Sequence, residues 1–261
     1  MRIVVCVKPV PVTMVLDADT TRLRRDGAVA MNPVDVNAIE MALQIRDSAD
    51  DAEVVLLALS TADAAESLRP GLAMGADRAV VLSGEEFEGS DLLATSLALA
   101  SAARALQPDL VVFGASSDDG NGAMVWAAVA ERMSLPLVSR AIDASVEGGR
   151  LTATRQLEYG LDVVQTDLPA VLAISGEVNT PRYPSFKDVI SAKKKSIAVL
   201  QAGREVDVDT AVDTASVGAR GSRTVVLGFT AAATRTKGVV IHDEGDAHEQ
   251  LATFLRKRQL L

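Results

Sequence analysis

The chain has 261 residues, 48% of them hydrophobic but only 3% aromatic, so its core must be built from Ala, Val, Leu and Ile, in one large α/β domain or a domain with an appendage. A formal charge of −9 argues against nucleic acid as the main partner, and no apolar run reaches the ~18 residues of a membrane span. Cys6 is the only cysteine, which excludes an internal disulfide and points to a reducing, cytoplasmic setting; the opening MRIVVCVKPV lacks the features of a signal peptide.

Taken in order, Arg2 to Val7 reads as a short β-branched strand ended by Lys8 to Pro11, and residues 12 to 31 as a polar loop or small hairpin. A helix starts at Asn32, with Asn32 as N-cap, Pro33 at the first helical position and Asp35 placed to meet free backbone N–H groups. Val34, Ala38, Met41, Ala42 and Ile45 fall on one face of it. Glu53 to Leu59 is a second strand. The helix expected from about Asp63 must kink or split at Pro70-Gly71. Arg78 to Leu82 is a third strand, Ser90 or Asp91 caps a helix running to Leu106, and Asp109 to Phe113 is a fourth strand. Strands separated by such helices imply right-handed crossovers and a doubly wound, mostly parallel, Rossmann-like sheet.

The second half changes character. Val138 to Val146 and Arg150 to Leu157 flank Gly148-Gly149 as a hairpin, and Gly160 to Gln165 and Pro169 to Ser175 add strands. After Ser196 come strand-like IAVLQA, a polar stretch from Arg204 to Arg223 and a tail helix from His248 to Arg258. The apolar content of residues 196 to 261 is too low for a core of their own. This divides the chain into an α/β domain, 1 to 195, and a C-terminal arm, 196 to 261.

The sharpest chemical feature is Gly114-Ala115-Ser116-Ser117-Asp118-Asp119-Gly120-Asn121-Gly122, between a buried strand and a helix from Ala123 to Met133. Small residues there let backbone N–H groups approach a phosphate, and the helix dipole favours its charge. Asp118 and Asp119 would repel phosphate and fit better as caps or as acceptors for ribose hydroxyls. An ordinary capped strand-to-helix loop fits the same residues. The strand Arg2 to Val7, the Asn32 helix start and Leu59-Ser60 share one edge of the sheet with this loop, and together they would frame an adenosine. There is no GxxxxGK[ST] loop, no GxGxxG after the first strand and no metal-ligand spacing. His242 and His248 read as solvated and Cys6 as an inert buried thiol. No residue set suggests acid–base or covalent catalysis.

A second segment, GEVNTPRYPSFKDVISAKKK (176 to 195), presents Arg182 and Tyr183 between two prolines. Ser185 and Asp188 have capping-box spacing, and Lys193, Lys194 and Lys195 close the following helix. A solvated helix with a conventional end fits. So does a docking element in which Phe186, flanked by Arg182 and Lys187, anchors onto an acidic partner.

VNTPRYPSFKDVISAKKK resembles the signature of electron transfer flavoprotein beta subunits, and MRIVVCVKPVP, NPVDVNAIEMALQIRD and LAMGADRAVVL resemble further family segments in the same order. The resemblance implies a heterodimer with an alpha subunit that holds most of a shared FAD, while beta binds AMP. Acyl-CoA or related dehydrogenases would reduce the flavin and a membrane quinone oxidoreductase would reoxidise it. It carries AMP contacts onto Cys6, Asn32, Pro33, Val34, Asp35, Ser60 and the loop from Gly114 through Ala123, Met124 and Val125. It carries dehydrogenase docking onto Phe186 and its loop, and alpha-subunit packing onto the C-terminal arm. Met124 and Trp126 stand where the family often has Gln and Gly. Two alternatives are a flavin-bifurcating relative, in which beta binds a second FAD, and a stand-alone ATP-binding α/β domain.

Overall fold

The computed structural model describes residues 1–200, 213–230 and 238–261, in two compact units, Met1–Val226 and Leu227–Leu261. In the first unit β1 (Arg2–Cys6) leads into two small antiparallel ribbons: β2 (Pro9–Pro11) pairs with β5 (Val29–Met31), and β3 (Leu16–Asp17) with β4 (Arg22–Leu23). Helix α1 (Pro33–Asp47) begins at the expected proline and is followed by β6 (Glu53–Leu59). Pro70 does split the next helix. A 3₁₀ segment, Ala62–Leu68, gives way to α2 (Arg69–Met74), because a proline can open a helical turn but cannot supply an N–H within one. Strand β7 (Arg78–Leu82) precedes α3 (Leu92–Ala105), whose N-cap Asp91 accepts the Ala94 N–H at 2.9 Å. Then come β8 (Leu110–Phe113), α4 (Val125–Met133), the hairpin β9 (Leu137–Glu147) and β10 (Arg150–Leu157), β11 (Gly160–Asp167), β12 (Ala170–Ile174), α5 (Phe186–Ala192), β13 (Ile197–Leu200) and α6 (Gly218–Gly221).

Among the described residues nine strands form one sheet, in the order β11-β10-β9-β12-β8-β1-β6-β7-β13. The pairs from β9 through β13 are parallel, while β9-β10-β11 is an antiparallel extension. Successive β1 residues serve opposite faces. Ile3 and Val5 join a core with Ala38, Leu43 and Leu72 of α1 and α2; Val4 and Cys6 join another with Ala98, Ala102 and Val129 of α3 and α4. Alanines along α3 let that helix lie close to the sheet, which is how a core poor in aromatics fills. Each fully buried leucine, such as Leu56 or Leu110, contributes about 1.5–3 kcal/mol, so a charge at either position would break the layer.

The chain leaves β1 for α1 on one face and β8 for α4 on the other, although β1 and β8 are neighbours. This reversal opens a crevice beyond the carboxyl ends of the two strands.

The expected boundary at residue 195 cuts through this unit. Ile197–Leu200 is its edge strand, pairing with β7 over Ala79 to Leu82, and Val217 is buried against the α3 face. Residues 197–200 are therefore part of the sheet, and residues 213–226 belong to the same unit, with Gly218, Ser222, Arg223 and Thr224 bonded to the Gly89–Asp91 turn before α3. Residues 201–212, and with them Gln201, Ala202 and the Arg204 end of the expected polar stretch, lie outside the described residues. In the second unit α7 (Ala247–Lys257) realises the expected tail helix; Leu251 and Phe254 are exposed, and Arg258 lies 5.4 Å from the Phe254 ring centre. His242 and His248 are exposed, and residues 231–237 lie outside the described residues. No described helix is long and apolar enough to cross a membrane, and the described residues contain no cluster of potential metal ligands.

Candidate functional site

The crevice is assembled from the end of β1 outward. Lys8 donates its N–H to Asp35 Oδ2 at 2.8 Å, and its carbonyl accepts the Asn32 N–H at 2.9 Å, so the start of α1 is tied to the chain leaving β1. Asn32 is fully buried, but its side chain does not cap α1. Its Nδ2 donates to the Ser116 carbonyl at 2.9 Å and its Oδ1 accepts the Asp118 N–H at 3.1 Å. The residue expected as a cap is a clamp on the 114–119 loop. Asp35 likewise turns its carboxylate toward Lys8 and not toward its own helix. Pro33 is exposed at the start of the helix, and Val34 packs against the core cluster.

Gly114 has a specific reason to be glycine. A Cβ there would lie 2.4 Å from Asp35 Oδ1 and 3.1 Å from the Val34 carbonyl carbon, so the loop can pass the first turn of α1 only without a side chain. Ala115 accepts a hydrogen bond from Trp126 Nε1 at 3.0 Å. Asn121 (φ 42°) and Ala123 (φ 42°) are in the left-handed region; they turn the exposed stretch from Gly120 to Met124 back into α4, which starts at Val125. The N-cap position, Met124, contributes no side-chain hydrogen bond, so the first-turn N–H groups of α4 have no side-chain cap.

Asp119 caps no described helix, and its carboxylate is committed within the protein. Its side chain is inaccessible and lies between two cations, 2.7 Å from Lys8 Nζ and in contact with Arg25 Nη2; Lys8 Nζ also reaches Ser117 Oγ at 3.2 Å. Burial pushes this carboxyl up, but the bonds from Lys8 and Arg25 and the Lys8 charge outweigh it and hold it down at about 2. Asp35 goes the other way. Burial dominates, the Lys8 N–H and the Asn32 side chain oppose it, and the carboxyl is raised to about 7. Cys6 is buried, and burial with the Asp35 charge beside it drives its thiol far up; it is an inert thiol. Ser60 ends the strand beside β1, half-buried, with its N–H on the Leu82 carbonyl at 3.0 Å. Lys8, Arg25 and Trp126 were not among the expected site residues. Asp119 with a strand-end lysine was the available signal for the first; nothing local in sequence pointed to Arg25.

The 176–195 segment divides differently from expectation. Ser185 and Asp188 do form the capping box, with Ser185 N–H on Asp188 Oδ2 at 3.0 Å and Asp188 N–H on Ser185 Oγ at 3.3 Å. Tyr183 is 98% exposed and Phe186 82%, with Lys187 exposed beside them. Arg182, expected to stand out with Tyr183, is turned inward onto α1, where Glu40 and Asp47 bind its guanidinium. Lys195 does not serve its own helix end. Its Nζ donates to the Leu72 and Ala76 carbonyls at the end of α2, while Arg69 Nη1 of α2 donates to the Ala192 and Lys195 carbonyls at the end of α5. The two short helices cap each other.

A doubly wound α/β sheet with a preformed glycine-rich loop at its switch point defines a Rossmann-like protein. The electron transfer flavoprotein domain model matches residues 20–205. The electron transfer flavoprotein subunit beta of Mycobacterium tuberculosis (strain H37Rv) is 34% identical over 268 residues, covering 99% of each chain. That of Megasphaera elsdenii is 34% identical, covering 96% of this chain and 95% of its own. The caffeyl-CoA reductase-Etf complex subunit CarD of Acetobacterium woodii is 37% identical over 76% of this chain and 78% of its own. The chain belongs to the electron transfer flavoprotein beta-subunit family, and is thus a subunit of an electron carrier and not a catalyst on its own.

Proposed function

We propose that this chain is the beta subunit of a cytoplasmic heterodimeric electron transfer flavoprotein, that it binds AMP in the β1/β8 crevice, and that its 183–191 arch docks acyl-CoA-type dehydrogenases. The alpha subunit would hold most of the shared FAD, which supplies the redox chemistry when bound, and a quinone oxidoreductase would take the electrons onward. The observation that carries the nucleotide reading is the charge state of the loop. Asp119, one of two carboxylates that would repel a phosphate, is already neutralised by Lys8 and Arg25. The loop therefore meets an anion with uncapped N–H groups at the start of α4 and without the charge of Asp119. The Gly114 approach and the Asn32 clamp set the crevice floor before any ligand arrives, which lowers the cost of ordering on binding. The exposed Leu251 and Phe254 of α7 support packing of the C-terminal segment on the alpha subunit.

A second reading has one observation in its favour: CarD, 37% identical, is named as part of a caffeyl-CoA reductase-Etf complex. In that reading the crevice takes a second FAD, the exposed Met124 standing at the loop end. The stand-alone ATP-binding alternative loses ground to relatives that match along nearly the whole chain. The deciding experiment is denaturing release and chromatography of nucleotides from the chain copurified with its alpha subunit. One FAD and one AMP per heterodimer support the main reading and two FAD support the second. Failure to copurify any flavoprotein partner overturns both.

A further inference from the structure

The arch from Tyr183 to Ser191 has two fixed feet, and the first is a side chain that sequence alone places in the interface. Glu40 of α1 is only 4% exposed, and both its oxygens are occupied. Oε2 accepts the Arg182 backbone N–H at 3.0 Å and Nε at 2.8 Å; Oε1 accepts Nη2 at 3.1 Å and Gln44 Nε2 at 3.2 Å. Asp47 takes Nη1 at 2.9 Å. Three residues earlier Asn179 and Asn37 exchange side-chain bonds, Nδ2 of Asn37 to the Asn179 carbonyl at 3.0 Å and Nδ2 of Asn179 to the Asn37 carbonyl at 3.1 Å. The second foot is the mutual capping of α2 and α5 by Arg69 and Lys195.

We propose that Arg182 is a positioning residue: locked on Glu40 and Asp47, it holds the arch in its docking shape and does not itself contact the dehydrogenase. The proposal rests on the docking reading above. The geometry argues against a direct contact, because Nε, Nη1 and Nη2 are all committed to carboxylates of α1. Tyr183, the next residue, is almost wholly exposed, so the clamp sits immediately before the chain turns outward. An arginine is needed and a lysine is not equivalent. Only the planar fork engages two oxygens of one carboxylate while a further N–H reaches a second one. Releasing the foot would leave the arch to be ordered at each encounter, which weakens association without altering electron transfer once docked.

The test uses the FAD-loaded heterodimer and a purified medium-chain acyl-CoA dehydrogenase driven by octanoyl-CoA. The variant Glu40→Gln/Arg182→Gln removes both charges together, so no unpaired carboxylate is left buried. Its KM as electron acceptor should rise about tenfold, a change of ~1.4 kcal/mol in association. Its kcat and flavin content should stay at wild-type values, and amide exchange across residues 179–191 should quicken. Arg182→Lys should fall between it and wild type. In a Phe186→Ala background the same double change should add less than about a factor of two, since a misplaced anchor that has already been removed costs nothing more. Multiplying effects would overturn the proposal, because Arg182 would then contribute independently of the arch. Unchanged exchange would overturn it too. If Phe186→Ala by itself leaves KM unchanged, the docking reading fails and the positioning role falls with it; quickened exchange would then still register the clamp as a purely structural bond.

Discussion

Asn32→Asp separates two roles that look identical in sequence. If Asn32 capped α1, aspartate would serve as well, since the two are about equal as N-caps. In the structure the amide uses both ends: the donor serves Ser116 and the acceptor serves Asp118. Asn32→Ala loses both. Asp118 is exposed, so water replaces its partner at a loss of ~0.5 kcal/mol, while the half-buried Ser116 carbonyl takes a middle value of ~1–2 kcal/mol. The small void left in a fully buried position adds ~1 kcal/mol. The total is about 2.5–3.5 kcal/mol, or roughly 5–14 °C in melting temperature for a unit of this size. Asn32→Asp keeps the acceptor, loses the donor and places a second carboxyl beside Asp35, so at neutral pH it should be at least as damaging as alanine. The assay is calorimetric melting of the copurified heterodimer, with released nucleotide quantified on the same sample. Melting of Asn32→Asp at the wild-type temperature with full nucleotide content would refute the clamp.

Three further outcomes follow from the same crevice. Gly114→Ala should displace the first turn of α1 or the loop and lower bound nucleotide several-fold, read by chromatography after denaturation; unchanged content would show that the 2.4 Å approach to Asp35 relaxes freely. Asp35 is raised to about 7, so between about pH 4 and 7 the folded protein holds a proton that the unfolded chain has released, and its contribution falls as pH rises. Asp35→Asn should therefore match wild type near pH 4 and gain on it above pH 7 in denaturant titrations; a constant difference across that range would contradict this. Asp119 is lowered to about 2, so its stabilisation is present above about pH 4 and is lost as pH falls toward 2. Asp119→Asn should cost ~2 kcal/mol at pH 7 and flatten the acid limb of the stability curve, whereas an unaltered acid limb would assign that titration elsewhere.

The strands of the parallel core and the doubly wound class were legible because β-branched runs buried on both faces carry their own signal, as in Arg2–Cys6 and Glu53–Leu59. The hairpin of β9 and β10 was legible from Gly148-Gly149. IAVL was legible as a strand but not as part of the sheet, since its partner β7 lies more than a hundred residues earlier and edge pairing leaves no local mark. The site was legible in position and not in bonding. A glycine-rich loop after a buried strand marks the crevice, but the ion pair of Asp119 with Arg25 spans 94 residues and that of Arg182 with Glu40 spans 142. Periodicity and capping rules report contacts within a few residues. A charge that reaches across the fold is invisible to them: Asn32 and Lys195 read as serving their own helix ends, Asp119 as a cap or ribose acceptor, and Arg182 as standing out from the surface.

Trp126 is the only tryptophan of the chain, and its indole N–H rests on the Ala115 carbonyl at the root of the crevice loop. This makes the loop optically addressable from within. A shift of Ala115 changes the polarity and hydrogen bonding of the one indole this subunit contributes, so its emission wavelength follows the loop without a label. Stopped-flow recording of that emission would time the arrival of a nucleotide at the crevice separately from the flavin absorbance that times electron transfer.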